Sequence, residues 1–345
     1  MSDTHPVVDQ LKDLLESRKD LKAALEASIK KADLPQYFSD LTSFYEFVGK
    51  TVVQIPENST DMMQMDVAFY YVVDISPDEI LSKDPEFQKW TLDYTNAWAE
   101  FLNTEASLGH LASYTRDERF QIGDYQEGPS GWRSFNQFFA RQPKPGKRPL
   151  ARQDDPCTVL SPCDFVIMDP VSTISDDATV TIKGVTCKIS ELLQDCDHKD
   201  AFDGGLLISG ILQIYDYHRY HTPIAGKVVE VKKIPGRIGL AIEREADQLV
   251  AILKPGFQFT QDRGLMILKS PVMGLVGLLP VGMAQISSVN LPVEVGAELY
   301  RGEEFGYFQF GGSNMLILTQ KDRFHLDETV VNNHILQGSA IGRAC

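Results

Sequence analysis

The sequence predicts an α+β protein, a helical N-terminal region packed on a β-rich domain. Three observations carry this. From Leu11 to Phe101 the apolar residues recur at helical spacing, with charges between them. After about residue 157 the texture changes to short runs rich in Val, Ile, Leu and Phe, punctuated by Gly, Pro and Asp. Between these regions, at about 115–131, the chain turns polar and ends in Gln-Glu-Gly-Pro-Ser-Gly, which marks a boundary. The expected division is therefore 1–125 and 126–345.

In chain order, Leu11, Leu14, Leu15, Leu21, Leu25 and Ile29 make a first helical stripe. Phe38, Leu41, Phe44, Tyr45 and Val48 make a second, with Gly49 as its stop. The third opens at Asp84-Pro85, where Asp can cap and Pro can take the first helical position. Its face is Phe87, Trp90, Tyr94, Ala97, Trp98 and Phe101, and all three stripes read as core. A basic, proline-rich strap, ARQPKPGKRPL, follows at 140–150. The strands expected beyond it are TVLSP, FVIMD, TVTIKG, GLLISGILQIY, KVVEVKKI, QLVAIL, LMILK, FGYFQF and MLILT, with one or two helical turns at Ile189 to Leu193.

Composition narrows the function. With 33 Lys and Arg against 48 Asp and Glu, the 345-residue chain carries −15, which disfavours gripping nucleic acid or an anionic membrane by bulk charge. The five Cys form no C-x-x-C, so neither a disulfide framework nor a zinc ribbon is expected. The N-terminus has no signal-type apolar run, and the uncharged stretch Ser270 to Val293 holds three Pro and three Gly, which suits strands and turns better than a membrane span. A soluble protein of a reducing compartment, the cytoplasm, is the expectation.

Three segments could carry chemistry. Asp216-Tyr-His-Arg-Tyr-His-Thr-Pro223 sets His218 and His221 three apart between an apolar strand and a proline. A metal would need further ligands, and no spacing singles out His110, His198, His325 or His334, so no metal is expected. Phe310-Gly-Gly-Ser-Asn314 lies between two apolar runs, and Ser161-Pro-Cys-Asp164 is an acid between strands; each alone reads as a turn. Together they have a logic. A serine hydroxyl becomes a nucleophile when a histidine takes its proton, and a carboxylate can orient that histidine. The carbonyl attacked could be that of Gly312 itself.

FGGSN, DYHRYHTP, SPCDF and SFNQFFARQPKPGKRP resemble motifs of the phosphatidylserine decarboxylase family over about Trp132 to Leu318, with GMAQIS at 282–287 and RGEEFGYF at 301–308 also similar. The helical N-terminal region and the FGGS form look most like a soluble branch that includes the fungal tryptophan decarboxylase of psilocybin biosynthesis. Two departures bear on substrate shape: Phe165 stands where many members have Gly, and Asn314 where Thr is usual.

The resemblance implies a proenzyme that cuts itself between Gly312 and Ser313. His221, oriented by Asp164, would deprotonate Ser313, and the serine would end as a pyruvoyl group, a self-made cofactor in place of pyridoxal phosphate. His218 would handle a proton or the substrate carboxylate during decarboxylation. Phe165, Tyr217 and Tyr220 are candidate pocket walls. The expected substrate is a free amino acid, aromatic and plausibly tryptophan; the alternative is phosphatidylserine, which would bring a membrane into play. The cleaved C-terminal fragment is the expected partner, nucleic acid is not, and the sequence gives no oligomeric state. TPIAGKV and VEVGAELYRGEEFG also resemble strands of lipoyl-type carriers, which suggests a barrel-sandwich-hybrid-like domain. A carrier would present a lysine where this chain has Gly-Gly-Ser.

Overall fold

The structure, a computed structural model, describes residues 5–169, 171–283 and 289–344. The chain divides into two compact units: Met1–Glu118 with Pro129–Phe138 and Arg237–Lys254, and Arg119–Gly128 with Phe139–Gly236 and Pro255–Cys345. The expected boundary at 125 thus falls inside a short segment of the second unit.

The first unit is built on the helices Pro6–Ser17, Lys19–Ala32, Leu41–Thr51, Thr60–Asp74 and Pro85–Phe101. The first stripe breaks into two helices at Arg18, whose φ −113 and ψ 86 are not helical. Gly49 does not stop its helix. The buried face of Phe44, Phe47, Val48 and Thr51 carries the helix past it, and the Thr51 hydroxyl donates back to the Phe47 carbonyl at 2.9 Å. Asp84 does cap, accepting from the backbone N–H groups of Glu86 and Phe87 at 2.9 and 3.0 Å, with Pro85 at the first position. The hairpin Ala241–Glu245 and Gln248–Ile252 belongs to this unit because Gln64 grips it: the side-chain amide accepts from Leu249 N–H at 2.8 Å and donates to Leu249 C=O at 2.9 Å.

The second unit is organised around an antiparallel sheet. Among the described residues its main path runs Glu298–Leu299, Gly226–Ile234, Arg263–Ser270, Gly274–Met283, Gly312–Thr319, Leu206–Leu212, Phe165–Ile167 and His334–Ile335. Side chains alternate between two apolar clusters, one with Met315 and Ile317, the other with Leu316 and Leu318. A smaller sheet sets Glu304–Phe308 between Val289–Asn290 and Arg219–His221. Ile189–Leu193 is a short helix, as expected. No described helix is long and apolar enough to cross a membrane.

Candidate active site

Ser313 sits at the start of Gly312–Thr319, opposite Gly282 on one side and Leu212 on the other. It is 0% exposed, and its Oγ has no hydrogen-bond partner among the described residues. An unsatisfied buried polar group costs about 1–3 kcal/mol, so it calls for a reason. Gly311, just upstream, has φ 135, a region that only glycine enters easily. These residues do not form the hairpin turn that the local sequence also allowed. Glu304–Phe308 pairs with Arg219–His221, whereas Gly312–Thr319 pairs with Gly274–Met283 and Leu206–Leu212.

His218 reaches this region by a short path. The strand that ends at Leu212, opposite Ser313, leads into a turn closed by Asp216, whose carboxylate accepts from Gln213 N–H at 2.6 Å. His218 follows, fully buried. Its carbonyl accepts from Phe308 N–H at 2.9 Å. Phe139 links its ring to the serine segment, lying 3.9 Å from the His218 ring and 5.3 Å from the Phe310 ring, centroid to centroid.

Main-chain carbonyls decide both tautomers, because a carbonyl oxygen can only accept. His218 Nδ1–H donates to Asp216 C=O at 2.9 Å, so Nε2 carries the lone pair, and that atom has no partner among the described residues. His221 Nδ1–H donates to Gly302 C=O at 2.9 Å, so its Nε2 accepts from the Tyr217 hydroxyl at 2.9 Å. Gly302 can present its carbonyl there because the turn takes φ 81 and is tied to Thr222 C=O through Gly302 N–H at 2.8 Å. Burial, and then the Arg141 charge, push the His218 pKa well below its ordinary value. Burial chiefly lowers His221 to about 4; Arg219 adds to the drop, while the Gly302 bond and the Asp164 charge oppose it. Both rings are therefore neutral bases at physiological pH.

Asp164 does not touch His221. Its carboxylate is gripped by Arg148, Nε to Oδ1 at 3.0 Å and Nη2 to Oδ2 at 2.6 Å, and accepts from Gln337 N–H at 2.7 Å. Both side chains are buried, 2% and 5% exposed. The Asp164–His221–Ser313 relay is thus not joined by direct hydrogen bonds in the uncut chain. Asp164 reaches His221 through its charge, while Gly302 and Tyr217 orient the ring.

Of the three pocket candidates, two are core side chains. Phe165 fills the space above Gly210, where a Cβ would come within 2.2 Å of its ring. Tyr220 packs on Phe305 and Phe308, both at 4.9 Å, and its hydroxyl meets the carbonyls of Asn290 and Tyr307. Tyr217 stands at the site, but as a partner of His221. Arg148, Arg141, Gly302 and Gln337 are site residues that sequence reasoning missed. The basic strap was the only signal for the two arginines. Of the GMAQIS motif, 284–287 lie outside the described residues. Among those described, no group of three or more His, Cys, Asp or Glu is arranged to hold a metal.

The His221 shift sets a pH expectation. Its pKa falls from about 6.5 in the unfolded chain to about 4 in the fold, so the unfolded state binds more protons between these values. This contribution to stability is complete above about 6.5 and is lost as pH falls through about 4. Chemistry that uses the Nε2 lone pair should run at a constant rate from about pH 5.5 to 7.5 and fail toward pH 4. A time course of cutting in freshly translated chain checks this. A half-maximal rate near pH 6.5 would contradict it.

A family model described as phosphatidylserine decarboxylase matches residues 135–343. Phosphatidylserine decarboxylase proenzyme 2 of Oryza sativa subsp. japonica is 28% identical over 217 residues, 63% of this chain and 34% of the rice protein. The chain therefore spans about a third of that relative's length. The phosphatidylserine decarboxylase proenzyme of Ruminiclostridium cellulolyticum is 28% identical over 257 residues, 72% of this chain and 83% of the bacterial protein. Decarboxylase iboD of Amanita muscaria is 24% identical over 313 residues, 80% of this chain and 89% of the fungal protein. The family match takes in the strap, Asp164, both histidines and Ser313 over more than half of the chain, and the chain belongs to the phosphatidylserine decarboxylase family.

Proposed function

We propose that this chain is a proenzyme that cuts itself between Gly312 and Ser313 and becomes a pyruvoyl-dependent decarboxylase of a free amino acid. The observation that carries the reading is the Ser313 Oγ, buried and without a partner among the described residues just after the Gly311 bend, with the neutral His218 imidazole reached from Phe310 through the Phe139 ring.

The chain's own groups supply the maturation steps. The Ser313 hydroxyl gives its proton to His221 Nε2, from which the Tyr217 hydroxyl must first turn away. Oγ bonds to the Gly312 carbonyl carbon as the Gly312–Ser313 C–N bond breaks, and the returned proton completes a free amine. Loss of the Ser313 α-proton with cleavage of the Cβ–O bond releases Gly312 as a carboxylate and leaves dehydroalanine. Water then replaces the nitrogen, which leaves as ammonia. The buried site fits the product, an uncharged α-keto amide no larger than the serine it replaces. Once formed, that group supplies a carbonyl for a substrate amine and an electron sink for loss of CO2. His218 Nε2, which holds a lone pair and has no partner among the described residues, is the atom assigned to substrate proton transfer. The two fragments should stay together, because Gly312–Thr319 pairs on both sides with strands of the larger fragment and Ala340–Ala344 pairs with Thr158–Leu160.

For the substrate we favour a free amino acid, with tryptophan first to be tried. The net charge of −15 supports this. So does a fungal relative, matched over 80% of this chain, whose name specifies a decarboxylase and no lipid. The core positions of Phe165 and Tyr220 remove two of the three residues that argued for an aromatic side chain. Phosphatidylserine is the second reading, favoured by the names of the other two relatives. The free amino-acid reading expects a cytoplasmic enzyme. Free tryptophan and other amino acids in vesicle-free buffer, set against phosphatidylserine vesicles, decide between them, with CO2 and amine followed and flotation of the protein measured. Turnover of a free amino acid without co-flotation is expected. Turnover of lipid alone, with co-flotation, would overturn the substrate and leave the maturation chemistry standing.

A further inference from the structure

The strap supplies a second arginine that the maturation steps do not use. Arg141 is 1% exposed. Its Nη2 donates to the carbonyls of Tyr215 at 2.6 Å and Asp216 at 3.1 Å, and its guanidinium stacks over the Tyr125 ring at 4.2 Å. The Asp216 carbonyl is also the acceptor for His218 Nδ1–H. One oxygen, with two lone pairs, therefore holds both a permanent cation and the imidazole.

We propose that Arg141 is a positioning residue for His218: it anchors the Asp216 carbonyl that fixes the Nδ1–H tautomer, and so keeps the Nε2 lone pair turned to the substrate side. The inference rests on the decarboxylase reading for what that lone pair does. A substrate amine arrives as an ammonium and must lose a proton before it can bond to a carbonyl. On that reading His218 Nε2 takes that proton and returns it to the substrate carbon after CO2 leaves.

Arg141 has a second effect, of charge. The guanidinium cannot be deprotonated, and its proximity disfavours a positive imidazole. The carboxylates around this turn each have partners. Asp216 is met by Gln213 N–H and by His334 Nε2 at 2.8 Å. Asp164 is paired with Arg148, and Glu304 with Arg219. Tyr125, Tyr217 and the Phe120 and Phe139 rings, also beside the turn and strap, carry no charge at neutral pH, whereas Arg119 lies over the Tyr215 ring at 5.3 Å and brings a second cation to the turn. Removing the guanidinium alone therefore unbalances the surroundings of His218 toward protonation.

The test reads the ring directly. In protein labelled with 15N-histidine, the long-range proton–nitrogen spectrum reports which ring nitrogen is protonated. The His218 signals are assigned among the seven histidines by their loss in His218→Gln. In the natural protein His218 should show protonated Nδ1 and bare Nε2, unchanged from about pH 5.5 to 8. Burial still holds the ring low in Arg141→Gln, so its titration should move up by about 1–3 pH units from that of the natural protein, read in spectra carried down to the acid edge of folding. The acid limb of kcat/KM should rise with it. Arg141→Lys, which keeps a cation, should leave the ring uncharged. A merely structural arginine would lower activity without moving either titration. A protonated Nε2 in the natural protein, or an unmoved ring in Arg141→Gln, would overturn the proposal. If Arg141→Gln does not fold, the natural spectrum still decides the tautomer, and a ring that titrates in Arg141→Lys as freely as an unshifted histidine overturns the proposal. The spectra need no substrate. If they agree and no amino acid or lipid is decarboxylated, the positioning stands and the functional reading falls.

Discussion

Ser313→Ala leaves one uncut polypeptide of 345 residues with no decarboxylase activity. On the proposed reading the hydroxyl is the nucleophile, and Asn314, one position on, does not replace it, because it lies on the opposite face of the strand and is tied to Ser209 at 3.0 Å. The fold should not be weakened by the change. Ser313 Oγ makes no hydrogen bond among the described residues, so its removal breaks no bond and relieves a desolvated group, a gain of up to about 1–3 kcal/mol. Denaturing electrophoresis and a thermal melt together check this. Cutting in Ser313→Ala would contradict the assignment of the nucleophile. A large fall in melting temperature would contradict the view of Ser313 as an unpartnered hydroxyl.

Asp164→Asn has the largest expected effect on stability. The carboxylate answers a buried guanidinium with two hydrogen bonds, and the asparagine leaves Arg148 buried without its counter-charge. Breaking such a pair costs about 3–5 kcal/mol, against typical whole-domain stabilities of about 5–15 kcal/mol. Cutting should slow as well, because the Asp164 charge supports the basicity of His221. Adding Arg148→Met separates the two effects. The double variant should recover much of the stability, since an uncharged pair of similar size is often neutral, but not the cutting rate. Denaturant titration of the uncut Ser313→Ala background measures the stability term free of maturation. A single Asp164→Asn change that costs less than about 0.5 kcal/mol would remove the ion pair from this account.

The strands were legible because each is a short apolar run closed by Gly, Pro or Asp, and that pattern depends on neighbours in sequence. Elements whose reasons are distant were not. Thr60–Asp74 shows no stripe, because Met62, Val67, Ala68, Phe69, Tyr70, Val72 and Val73 are buried almost all round the helix. The hairpin Ala241–Glu245 and Gln248–Ile252 reads as part of the β-rich region, yet belongs with the helices through Gln64, 185 positions away from Leu249. Gly49 looked like a stop, but packing on one face outweighs its weak helix propensity.

The site divides in the same way. Asp164, His218, His221 and Ser313 stand in recognisable motifs. What fixes their states does not: Gly302, 81 positions from His221, chooses its tautomer, and Arg148 takes the carboxylate that the sequence logic gave to His221. A basic, proline-rich strap carries no sign of which arginine will be buried, or under which turn. Phe165 and Tyr220 stand beside motif residues in sequence and were expected beside them in space. Strand alternation and the Gly210 contact put Phe165 in the core, and Tyr220 is held there by Phe305 and Phe308.

Intact-mass analysis of the purified protein, before and after borohydride reduction, tests the central claim most directly. The account predicts two chains: residues 1–312 ending in a free carboxylate, and residues 313–345 lighter by one ammonia than a fragment with an N-terminal serine, and heavier by two hydrogens after reduction. An active protein that is a single uncut chain, or a small fragment with an ordinary N-terminal serine that borohydride leaves unchanged, would contradict it.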